Sequence, residues 1–183
     1  DMKDIEKKKE SGISLVDENA TNIPTEEVTL SGRELYLLYR GLMKYADYPS
    51  KDFSLFVYRG IGSIKDIAMR ILELTSPLDE YYSLERELRL KYFSTDAVEF
   101  KMGIGELEGR RENDHVSLFL ESVSKLREQY GEYLSRELEI RKEVEDILGR
   151  EYKIGIGRVS FSLLPKEFTA QDIEVFNPLI VYE

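Results

Sequence analysis

The residues best placed to do chemistry lie near position 100. Asp96 is followed by Glu99 and Lys101, an acid and then Glu-x-Lys on a segment that reads as a strand. Carboxylates holding Mg²⁺, with a lysine beside the attacking water, suit phosphodiester hydrolysis. Glu151-Tyr152-Lys153 repeats the tripeptide. With 34% of residues charged, such triplets arise often by chance, and an exposed ion pair is the simpler account. A second cluster, Arg59, Gly60, Gly62, Ser63 and Lys65, follows an apparent strand and precedes a capped helix. Free N–H groups and the positive dipole at a helix start make that layout a phosphate cradle. It lacks the third glycine of a dinucleotide fingerprint and the Gly-Lys-Ser/Thr ending of a P-loop. His115 is the only histidine, so any imidazole chemistry would have to run through it. The acidic run Glu106, Glu108, Glu112 and Asp114, interrupted by Arg110 and Arg111, lacks the ligand spacing of a calcium loop. No metal site is expected, and no cofactor apart from Mg²⁺ if the hydrolytic reading holds.

The Glu99-Phe100-Lys101 tripeptide resembles the active-site pattern of the PD-(D/E)xK nucleases. In that family the acidic partner usually lies on a preceding strand. Here Asp96 is only three residues upstream, and the more distant Asp79 falls at an expected helix start.

Composition narrows the function classes. The chain has no cysteine, which excludes disulfides, zinc–thiolate sites, iron–sulfur clusters and cysteine nucleophiles. A formal charge of −10 argues against gripping a nucleic-acid backbone, because that binding depends on Lys and Arg neutralising phosphates. No stretch approaches the ~18 apolar residues of a membrane span, so a soluble, cytoplasmic protein is expected, with no membrane partner. Apolar residues make up 42%, with 12 Tyr and 8 Phe, which is enough for a packed core. Two Gln and four Asn among abundant Glu, Lys and Arg give a thermophile-like composition.

The elements that must position these residues are well punctuated. Residues 1–28 read as a charged, flexible N-terminal segment, with Ile13–Val16 as its one apolar run. Residues 29–183 read as a single α+β domain, a small mixed sheet of about four strands with several helices. Ser31-x-x-Glu34 is a capping box opening a helix to about Ala46, with Leu35, Leu38, Tyr39 and Leu42 on one face. Phe53 to Arg59 reads as a strand. Ser63-x-x-Asp66 and Ser76-Pro77-x-Asp79 read as two further helix starts, the second helix running to about Phe93. A strand is expected from Ala97 to Leu107. One long amphipathic helix is expected at about 113–149, with a bend or break allowed at Gly131. Strands from Tyr152 to Leu164 and from Ile173 to Tyr182 complete the reading.

The least accidental feature is a duplication. Residues 99–107 (Glu-Phe-Lys-Met-Gly-Ile-Gly-Glu-Leu) return at 151–159 as Glu-Tyr-Lys-Ile-Gly-Ile-Gly-Arg-Val, with five of nine positions identical. Arg59-Gly60-Ile61-Gly62 is a partial echo. In extended chain the two glycines of each copy share a face, leaving a bare strip for close packing or a ligand. These similar glycine-rich strands would bracket the long helix.

Tyrosines on the expected helices and the long helical arm favour an interface, since tyrosine packs its ring while keeping its hydroxyl wet. The leading expectation is a non-enzymatic interaction or assembly subunit, with a protein partner or homo-oligomer as its target. Tyr36, Tyr39, Val123, Tyr130, Tyr133 and Leu138 would form the contact surface. The alternative is the Mg²⁺-dependent nuclease or phosphoesterase built on Asp96, Glu99 and Lys101.

Overall fold

A computed structural model describes residues 25–183. The expected N-terminal segment lies outside the described residues up to position 24, as does Ile13–Val16. Residues 25–28 are not part of a lead-in, because they belong to strand β1 (Thr25–Ser31). Over the described residues the protein is α+β and mostly helical, at 70%, and helices supply most of its core. Helices α1 (Gly32–Lys44) and α2 (Lys51–Tyr92) follow, then the short α3 (Val98–Lys101) and α4 (Ile104–Glu108). Next come α5 (Asp114–Gln129), α6 (Gly131–Ser135) and α7 (Glu137–Gly149). Strands β2 (Glu151–Gly157) and β3 (Val159–Ser160), helix α8 (Ala170–Phe176) and strand β4 (Ile180–Val181) end the chain. Instead of one mixed sheet, the four strands among the described residues make two pairs. β1 pairs with β2, and β3 runs parallel to β4 with Val159 opposite Ile180.

The chain divides into two compact units that interleave in sequence. Among the described residues, one holds those from Thr25 to Leu30, Leu37–Ile64 and Tyr152–Glu183, and the other holds Ser31–Tyr36 and Lys65–Glu151. In the first, β2 alternates as a half-buried strand should, with Ile154 and Ile156 inside and Lys153 and Gly155 outside. An aromatic cluster fills the core: Tyr45, Phe53, Phe168 and Phe176, with ring centroids 4.8–6.4 Å apart. Gly60 packs closely in this core, since a Cβ there would stand 3.0 Å from Leu42 Cδ1 and push that side chain aside. Asp172 fastens α8 to α1. Its carboxylate accepts from Thr169 N, Thr169 Oγ1, Tyr45 OH and Lys44 Nζ at 2.8–3.1 Å. Burial pushes the Asp172 carboxyl up, but the bonds from Thr169, Tyr45 and Lys44 outweigh it and hold the group down at about 2. The stability this tie contributes is therefore complete above the ordinary carboxylate pKa and is lost as pH falls through about 2.

In the second unit Phe93, Leu107, Val116, Phe119, Leu120 and Val123 form the core, with Phe100, Met102 and Ile104 packed against it. The Ser31 capping box is present: Ser31 N donates to Glu34 Oε2 at 2.7 Å and Glu34 N to Ser31 Oγ at 3.2 Å. Gly32 beside it has no room for a side chain, because a Cβ would fall 2.0 Å from the Ile147 carbonyl oxygen.

Several sequence expectations are corrected here. Phe53–Arg59 is not a strand. It opens α2, whose buried Phe53, Phe56/Val57, Gly60, Ile64, Ala68 and Ile71 recur at spacings of three and four. The expected helix starts at Ser63 and Ser76 lie inside that same 42-residue helix. Both hydroxyls donate back to carbonyls one turn earlier, Ser63 Oγ to Arg59 O at 3.1 Å and Ser76 Oγ to Leu72 O at 2.6 Å. Pro77 removes the donor that Glu73 O would receive, but Glu73 is exposed and water can take that role. α2 is thus the longest helix among the described residues.

The helix expected at 113–149 is instead three helices. Tyr130 leaves helical geometry at φ −101° and ψ 14°, with its ring against Tyr81 at 6.0 Å. Gly131, weak in a helix, follows. Ser135 Oγ donates to Glu132 O at 2.8 Å, and Arg136, at φ −106° and ψ 10°, makes the second break. Residues 97–107 fold as α3 and α4 rather than a strand. Ile173–Tyr182 is mostly α8 and a short 3-10 turn (Asn177–Leu179), leaving only β4 extended. No helix among the described residues is long and apolar enough to cross a membrane.

Candidate functional site

The expected hydrolytic residues do not converge. Glu99 and Lys101 sit on one helical turn, where a spacing of two points side chains to different sides. Glu99 Oε1 accepts from Arg110 Nη1 at 2.9 Å. A backbone hydrogen bond and this guanidinium hold its carboxyl below the usual range against some burial. Asp96 and Lys101 are exposed. Among the described residues, no three His, Asp or Glu side chains are grouped closely enough to hold a metal ion.

The phosphate-cradle layout is likewise absent. Arg59, Gly60, Gly62, Ser63 and Lys65 lie in the middle of α2, where backbone N–H groups serve the helix itself. His115 is exposed, with its ring 5.7 Å from Phe93.

The expected interface residues separate into two groups. Val123 and Tyr130 are buried in the second unit, at 1% and 7% exposure, and belong to its core. Tyr133 and Leu138 are open, Leu138 at 82%, and Tyr36 and Tyr39 are half-buried.

Two concave features of the second unit lie along α2. Thr75, Leu78, Asp79 and Tyr82 of α2 face Ile140, Arg141, Val144 and Glu145 of α7 across a groove of about 350 Å³. Leu78, Ile140 and Val144 make its floor. Tyr82 OH donates to both Glu137 oxygens at 2.9 Å, and Arg141 Nε donates to Glu137 Oε1 at 3.0 Å. Burial and the Glu137 carboxylate raise the Tyr82 phenol, while Arg141 and then Tyr82 lower Glu137. This wall of the groove therefore keeps its charge pairing across the neutral range.

A second groove of about 520 Å³ lies between α2 and α5. It is lined by Leu84, Glu87, Leu88 and Lys91 from α2 and by Ser122, Lys125, Leu126 and Gln129 from α5. Leu84, Leu88 and Leu126 are its apolar floor. Tyr92 and Ser122 share a hydrogen bond of 3.1 Å at its edge, and Lys91 Nζ stands 5.1 Å from the Tyr92 ring centre. The bond with Ser122 lowers the Tyr92 phenol.

These groove residues escaped the sequence reading, although their signal is present. The α2 positions 75, 78, 79, 82 and 84, 87, 88, 91 both follow the i, i+3, i+4, i+7 pattern of one helical face. The break assumed at Ser76–Pro77 cut the first set in two. No protein-family model matches the sequence, and no curated protein or solved structure shows significant similarity to it.

Proposed function

We propose that the protein is an interaction or assembly subunit that docks protein helices in the grooves of its second unit. The observation that carries this reading is the pair of apolar-floored, polar-rimmed grooves along α2, each bounded by a helix pair. Helix-in-groove recognition uses this construction, with apolar side chains entering the floor and rim charges selecting the partner. The exposed Leu138 and Tyr133 of α7 and α6 add apolar surface beyond the grooves. A cysteine-free, strongly charged chain fits a cytoplasmic setting.

The test places a photo-crosslinking residue at Thr75, in the first groove, and at Gln129, in the second. The full chain is then irradiated in cell extract of its source. The expected result is one recurrent protein adduct per groove, identified by mass spectrometry and lost on Leu88→Glu or Val144→Glu. Absence of a recurrent adduct from both positions overturns the proposal.

A further inference from the structure

We draw no further inference here: the strongest candidate, the exposed ring pair of Phe161 and Tyr182 that flanks β3 and β4 with centroids 5.5 Å apart, is an apolar surface patch, and nothing in the structure shows what covers it.

Discussion

Residues 99–107 and 151–159 are near-copies that fold differently. The first is two short helices joined by an extended link, and the second is a strand with its continuation. The echo at Gly60-Ile61-Gly62 takes a third form, inside α2. Gly-Ile-Gly therefore carries no conformation of its own here, and the surroundings of each copy choose one. In the later copy Ile154 and Ile156 are buried on one face, and β1 supplies the paired strand. Arg158 meets Glu26 at 2.8 Å. In the earlier copy only Met102 and Gly103 are extended, at ψ 143° and 159°. No strand pairs with them. The Arg89 guanidinium occupies that role, donating to Met102 O at 2.7 Å and to Phe100 O at 3.3 Å. The one position where the copies differ in kind also matters. Glu106 reaches back to Gly103 N at 2.8 Å and starts α4, and its counterpart, Arg158, has no carboxylate with which to do so.

The comparison is broken most severely at Arg89. Its largely buried side chain also pairs with Glu85 at 3.0 Å, and Tyr81 OH donates to the same carboxylate at 2.8 Å. Arg89→Ala leaves a buried charge half-partnered and two carbonyls bare, a loss of about 3–5 kcal/mol. Urea denaturation should show that loss. Hydrogen exchange should rise first at the amides of 99–107 and leave those of β2 unchanged. Equal loss in both copies would contradict a local role for Arg89. A smaller contrast separates the two central isoleucines. Ile156 is fully buried, so Ile156→Ala should cost about 3 kcal/mol. Ile104 is half-buried at the edge of its core, and Ile104→Ala should cost about 1 kcal/mol. Thermal or chemical denaturation measures both, and equal values would mean that the two sites are packed alike.

The same contrast explains what the sequence made legible. The α1 start was readable because Ser31 and Glu34 act locally, and β2 was readable because its alternation continues through a buried strand. The α2 segment at 53–59 was misread because β-branched and aromatic residues outweighed the three-and-four spacing of Phe53, Phe56, Val57 and Gly60. Pro77 and the two serines looked like boundaries, since their back-bonding to the previous turn depends on the helix already being there. Residues 97–107 show the same alternation of apolar residues as β2, and beyond the Glu106 cap it is the presence of Arg89 and the absence of a paired strand that distinguish them. Of the expected contact residues, Leu138 and Tyr133 are exposed, while Val123 and Tyr130 are buried, a difference hidden when their helix is read as an unbroken arm. The grooves depend on which helices lie beside α2, and a helical period shows only that a face is apolar.

The differing position gives the next contrast. Glu106→Arg removes the α4 cap and should cost about 1 kcal/mol, with backbone chemical shifts at 104–108 moving away from helical values. The reciprocal Arg158→Glu sets like charge beside Glu26 on an exposed surface and should cost less than about 1 kcal/mol. A β2 that responds more strongly than α4 would mean that the Glu26 contact, and not the missing cap, holds the later copy in its strand.

The smallest effects test conformation most directly, through glycines that have space around them. A Cβ at Gly105 or Gly155 would meet nothing within 4 Å, so packing does not confuse the result. At Gly105, inside α4, Ala should raise stability by about 0.5–1 kcal/mol, and Val by less because of its helical χ1 restriction. At Gly155, an exposed position of β2, Val should exceed Ala by a few tenths of a kcal/mol up to about 1, because branched residues suit a pleated surface. The quantity to measure is the Ala-minus-Val difference in melting temperature at each site. It should be positive at 105 and negative at 155. The same sign at both would show that the copies share one conformation in solution, and that neither Arg89 nor β1 decides between them.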